Sequence, residues 1–125
     1  IKSRTDTRKH NMYDVVRGVQ KRLVPDDSVA EDTVPGVTAF GTDGFTVGSE
    51  TDTNGSSRDF VGWSWKAGAG QGSSNTDGSI NTTYTSVNST AGFSISKYTG
   101  TGSAATVGHG LDQAPETVIY KRRNN

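Results

Sequence analysis

Between residues 90 and 121 the chain reads TAGFSISKYTGTGSAATVGHGLDQAPETVIYK, and no apolar run in it is long enough to build a helix. The runs at residues 93–98, 105–107 and 118–120 are cut by Gly-rich and Pro-containing connections. Short runs closed by such turn formers read as consecutive β-strands with tight turns. Composition extends that constraint to the whole chain. Sixteen of the 125 residues are glycine and only 30% are hydrophobic, while Thr and Ser are abundant. Such a chain suits thin β-layers whose alternate side chains face water. Its length is that of one domain, so residues 1–125 are expected to form a single module.

Only the segment around residues 11–24 offers a helix as an alternative. Met12, Val15, Val16, Val19 and Leu23 match a helical stripe, but Gly18 lies inside it and costs a helix ~1 kcal/mol relative to Ala. The competing hairpin has strands at 12–16 and 19–24, a turn at Arg17-Gly18 and an end at Pro25. It is preferred because everything downstream is β. Residues 26–44 read as an acidic loop with one short strand near Val37–Phe40, followed by a strand at Phe45–Val47 and a loop at 49–57. Residues 58–66 carry the strongest strand signal. Val61, Trp63 and Trp65 share one face at period two, which predicts both indoles in the core. Gly62, on the other face, predicts either a bulky neighbour or a bend. Residues 67–79 look the most flexible, with Asp77-Gly78 as a turn signal. Further strands are expected at 80–87, 93–98, 105–109 and 117–122, so the fold class is all-β, an antiparallel sandwich or barrel.

The formal net charge is zero, yet its placement is uneven. Residues 1–25 hold Lys2, Arg4, Arg8, Lys9, Arg17, Lys21 and Arg22 against Asp6 and Asp14, whereas residues 26–59 are acidic. The basic block contains a single aromatic, Tyr13, so nucleic acid is not an expected partner. There is no cysteine, which excludes disulfides and thiolate chemistry. No apolar run approaches the ~20 residues a bilayer needs, so membrane insertion is not expected. Sequons at Asn54, Asn81 and Asn88 would matter only in a eukaryotic secretory setting.

Candidate chemistry is sparse. Glu50, Asp52 and Asn54 place three oxygen-bearing side chains two apart before Gly55, a spacing that calcium loops use; the twelfth position of an EF-hand, however, is Val61. The same Glu50-x-Asp52 is part of a glucanase-like arrangement, but residues 53–57 lack the closing acid. No Gly-x-Ser-x-Gly elbow occurs, and catalysis is not expected. His109 lies between glycines, where a histidine more often fixes a turn than binds a metal, and the other histidine, His10, is in a polar basic segment. Tyr84 and Tyr98, on polar strands, are the candidate ligand-binding aromatics, and the Gly/Ser/Asn/Thr loops have the composition of adaptable binding loops.

The two ends share a signature. Ile1-Lys2-Ser3-Arg4-Thr5 resembles Tyr120-Lys121-Arg122-Arg123-Asn124, which fits either one period of a tandem array or two related strands pairing in one sheet. If they pair, Lys2 and Arg4 lie beside Lys121 and Arg123, with Asp6, Asp112 or Glu116 balancing the charge.

FVGWSWKAG (60–68), SNTDGSI (74–80), AGFSISKYTGTGSAATVGHGL (91–111) and APETVIYKRRN (114–124) together resemble a module recurring in virion proteins of tailed bacteriophages, particularly marine and cyanobacterial ones. The resemblance implies a jelly-roll or concanavalin-like, lectin-type β-sandwich in a tail-fibre-like appendage on the particle exterior. It implies no catalytic residue and no cofactor. The partners it implies are other virion subunits or sibling modules, a homo-oligomer among them, and host cell-surface glycan. A lectin-like module of an enzyme or adhesin, or a capsid decoration protein, are the other readings.

Overall fold

The computed structural model describes residues 1–124. Their regular elements are nearly all strands: β1 Lys2–Ser3, β2 Met12–Asp14, β3 Gly18–Leu23, β4 Asp32–Thr33, β5 Val37–Phe40, β6 Phe45–Val47, β7 Phe60–Val61, β8 Tyr84–Asn88 and β9 Phe93–Lys97. A single helical turn, α1, spans Thr51–Asn54. The chain divides into two compact units. The first comprises residues 1–14, 18–64 and the segment from Ile119 on; the second comprises residues 15–17 and 65–118.

The first unit holds antiparallel pairs throughout. β1 pairs with β7 through Lys2↔Val61 and Ser3↔Phe60. β3 lies between β2 and β4, and β5 pairs with β6. The Ile1 nitrogen donates to the Asn11 carbonyl at 2.7 Å, and the Asn11 N–H returns a bond to the Ile1 carbonyl at 2.9 Å. Those two bonds tie β1 to the start of β2. The hairpin reading of residues 11–24 is therefore the correct one. Gly18, at φ 93°, closes the turn opposite Asp14, a conformation that an L side chain rarely adopts and a helix does not contain. The bulky neighbour expected beside Gly62 is Phe45, whose ring carbon lies 3.4 Å from where a Cβ would stand. Leu23, Val24 and Val37 are fully buried and form the apolar centre of this unit. Each contributes roughly 1.5–3 kcal/mol.

The second unit is built on the β8–β9 hairpin, in register from Tyr84↔Lys97 to Asn88↔Phe93. Residues 68–73, which the sequence presents as flexible, run along the outer edge of β8. The Thr85 N–H donates to the Ser73 carbonyl at 2.6 Å, and Ser73 and Thr85 form an antiparallel bridge. The glycines here serve close approach rather than mobility. A Cβ on Gly72 would fall inside the Thr85 carbonyl, and Gly72 also sits at φ 77°. Only Val16 and Ala67 are fully buried apolar residues in this unit. Its interior is otherwise polar, with Thr82, Thr85 and Ser86 all buried.

Three expectations are corrected. The strand at residues 58–66 is confined to Phe60–Val61, and among the described residues no strand pairs with residues 62–66. Trp63 and Trp65 are consequently 59% and 65% exposed rather than in the core. Residues 105–109 contribute only one bridge, Val107 parallel to Ile80, and residues 117–122 form no strand. The terminal segments do not pair with each other: β1 takes β7, whereas the Arg123 carbonyl accepts the Glu31 N–H at 2.8 Å. Arg123 is balanced by Glu31 and Lys121 bonds the Asp27 carbonyl, so Asp112 and Glu116 play no part there.

Two predictions follow from this packing. Gly72→Ala adds a left-handed alanine to a backbone clash and should lower the unfolding free energy by about 2 kcal/mol or more in urea titrations. Tyr13 is half-buried against Gly36, and its hydroxyl has no hydrogen-bond partner among the described residues. Burial pushes its pKa up to about 12. The folded state thus favours the neutral phenol, so its contribution is intact below pH ~10 and lost as pH rises towards the folded value. Tyr13→Phe should hold or raise stability at neutral pH and flatten the alkaline loss, read by denaturation at a series of pH values.

Candidate functional site

The three oxygen-bearing residues proposed for calcium sit at the start of α1. Glu50 is its N-cap, with extended backbone, and its carboxylate accepts the Asp52 N–H at 3.3 Å. Asp52 lies between two guanidinium groups, Arg8 at 3.4 Å and Arg22 at 3.4 Å. Arg22 reaches Glu50 at 3.7 Å and forms a two-pronged bond to Asp32 at 2.5 and 3.0 Å. The Asn54 amide turns away and donates to the Gly48 carbonyl at 2.9 Å. Glu50, Asp52 and Asn54 are thus held by arginines and backbone, not gathered around one cation. Among the described residues no three His, Asp or Glu side chains converge as a metal cage.

This network is the physical outcome of the charge blocks. Lys9 pairs with Asp27, Arg8 and Arg22 with Asp52, Arg22 with Asp32, and Arg58 with Asp6. Arg8, Lys9 and Arg22 of the basic N-terminal block thus find their counter-charges in the acidic block that follows it. The hydrogen bond from the Lys9 ammonium holds the Asp27 carboxyl below its ordinary value.

The aromatic candidates separate. Tyr84 is half-buried with the Lys97 ammonium 5.7 Å from its ring centroid, while Tyr98 is exposed. The residue that sequence periodicity misplaced is Trp65. Its ring stacks on Phe93, with centroids 6.1 Å apart and planes 17° from parallel, and the tryptophan remains 65% exposed. The signal that locates it is Gly68, which seats the following chain against the Val87 backbone and leaves the tryptophan outside. Val118, Ile119 and Tyr120 are more exposed still, at 73%, 75% and 85%. Three consecutive apolar side chains in water are a mark of a contact surface. His109 fixes a turn, as its glycine neighbours imply, by accepting the Leu111 N–H on Nδ1 at 3.0 Å.

The profile of a domain of unknown function, DUF7483, matches residues 1–125. The chain belongs to the DUF7483 family. No curated protein and no solved structure matches it. What this DUF7483 domain offers chemically is therefore read from its own surfaces: a self-neutralised charge network, an open aromatic pair and an exposed apolar run.

Asp52→Ala strips two guanidinium groups of a shared partner and should cost about 1–3 kcal/mol in unfolding free energy. Because the carboxylates are already occupied, adding calcium chloride or a chelator should leave the thermal midpoint where it is. A rise with calcium would reinstate the metal reading. The Lys9–Asp27 pair depends on an ionised Asp27 with a depressed pKa, so its contribution is present above about pH 4 and lost as pH falls below it. Asp27→Asn should reduce the acid sensitivity of the unfolding midpoint.

Proposed function

We propose that the domain is a non-catalytic virion module, a β-sandwich of jelly-roll or concanavalin-like lectin type, working by association on the exterior of a phage particle. Its partners are sibling modules or further virion subunits, with host-surface attachment as the second task. The observation that carries the reading is the distribution of apolar area. Val118, Ile119 and Tyr120 stand in water, while buried positions in the second unit are filled by threonine and serine. A chain with so little fully buried apolar surface gains stability by covering its exposed surface with another protein.

A lectin-like role has its own support in the open Trp65–Phe93 pair, since a flat aromatic face is what the C–H face of a sugar stacks on. The assembly and attachment roles separate experimentally. Sedimentation of the purified domain over a concentration series should show self-association. Val118→Ser, Ile119→Ser and Tyr120→Ser together should weaken it tenfold or more without shifting the unfolding midpoint. A domain that stays monomeric throughout and does not adsorb to cells would count against both.

A further inference from the structure

The second unit carries an open cleft of about 330 Å³ between the Asp77-Gly78 turn and residues 106–111. That volume lies at the lower end of small-molecule sites, roughly 300–1,000 Å³, and is suited to one compact ligand rather than an extended one. We infer that this cleft binds a pair of neighbouring hydroxyl groups on a neutral sugar, with the Asp77 carboxylate accepting and the His109 imidazole donating.

The walls are fixed before any ligand arrives. Asn75 clamps the turn from both sides, its Oδ1 accepting the Asp77 N–H and its Nδ2 donating to Asp77 Oδ2, both at 2.9 Å. The Ser79 N–H donates to Thr106 Oγ1 at 2.9 Å, and the Thr106 N–H donates to Ser79 Oγ at 3.0 Å. The Ile80 N–H donates to the Thr106 carbonyl, also at 3.0 Å. Glycine is required at the base of the cleft. A Cβ on Gly78 would overlap the Thr106 carbonyl, and one on Gly108 would overlap the Asn75 amide.

Two of the residues that line this cleft, Asp77 and His109, each carry a polar atom without work in the fold. The Leu111 N–H donates to His109 Nδ1, so Nδ1 carries a lone pair and the neutral ring bears its proton on Nε2. Among the described residues neither His109 Nε2 nor Asp77 Oδ1 has a hydrogen-bond partner. A sugar hydroxyl donates one proton and accepts on its oxygen, so two hydroxyls of one ring match a carboxylate and an imidazole N–H on the residues of one cleft. Val107 and Leu111 supply apolar wall for the C–H face of the ring. The Asp77 charge disfavours phosphate, sulfate or a carboxylated sugar. A metal ion has only two side-chain ligands of the usual kind here, too few for a cage.

The inference rests on, and deepens, the attachment half of the proposed function. Association of several copies would multiply whatever affinity one such open cleft provides. Amide NMR titration of the isotope-labelled full chain with glucose, galactose, mannose and N-acetylglucosamine tests it. The expected result is saturable shifts at Gly78 and residues 106–111 with one of these sugars. Asp77→Asn, which keeps the oxygen facing Asn75, should weaken binding tenfold or more, and His109→Gln should weaken it several-fold. The spectra of both variants should stay unchanged away from the cleft. No saturable shift with any of the four, or equal binding by both variants, overturns the assignment. Shifts centred on Trp65 and Phe93 also overturn it, while leaving attachment through the aromatic pair standing. Cell adsorption retained by Asp77→Asn alongside lost sugar binding would confirm the cleft as a sugar site but not as the attachment site.

Discussion

A chain of buried hydroxyl groups organises the second unit. Thr82 Oγ1 and Thr85 Oγ1 bond at 2.9 Å, and Thr85 Oγ1 bonds Ser96 Oγ at the same distance. Ser96 passes the chain on to the Gly108 carbonyl at 3.3 Å, and Ser86 donates to the Gly70 carbonyl at 2.8 Å. Ser74 and the Asn75 N–H bond to the two oxygens of Thr82. The links tie β8 to β9 at Thr85–Ser96 and bring the stretches at Gly70, Ser74-Asn75, Thr82 and Gly108 against them. In a low-dielectric interior such bonds reinforce one another, and losing any one leaves its neighbours unsatisfied. The unit is thus held by polar contacts of fixed geometry, which also set the floor of the cleft at Gly108.

The first unit solves the same shortage of apolar residues with charge. Arg22 alone reaches Asp32, Glu50 and Asp52, and Lys9 and Arg8 anchor the basic block to acids far along the chain. Most of these pairs are partly exposed and individually weak. Their value lies in selecting which segments meet, since the blocks are complementary in sign and order. With hydroxyls in the interior of one unit and ion pairs tying the segments of the other, Trp63, Trp65 and residues 118–120 are left outside. The proposal of association rests on that exposed apolar area.

Much of the local structure was legible in the sequence. The hairpin at residues 11–24, β5, β6 and β9 follow from alternation and turn residues, with Gly18 counting against a helix and the β character downstream favouring the hairpin. Legibility failed where a pattern needed a partner. Residues 58–66 alternate as a buried strand does, but alternation says only that two faces differ, not that a second layer covers one of them. Residues 118–120 are apolar and β-prone, yet no ladder accepts them. Glu50, Asp52 and Asn54 have the spacing of a cation loop, and nothing in that spacing reveals that Arg8 and Arg22 arrive from elsewhere. The Gly-rich run 67–79 reads as mobile because sequence does not distinguish a glycine that bends from one that permits contact. Asp77 and His109 are remote in sequence, and the Ile80–Val107 bridge with the Ser79–Thr106 bonds places them on one cleft.

The hydroxyl chain is the claim most open to direct measurement. Thr85→Val keeps the shape of the side chain and β propensity while replacing the central hydroxyl with a methyl group. If Thr82 and Ser96 depend on it, urea unfolding should show a loss of about 1–3 kcal/mol, and amide protection should fall along β8 and β9. A variant as stable as the parent, or more stable, would mean that ordinary apolar packing holds the unit and that the polar interior is incidental.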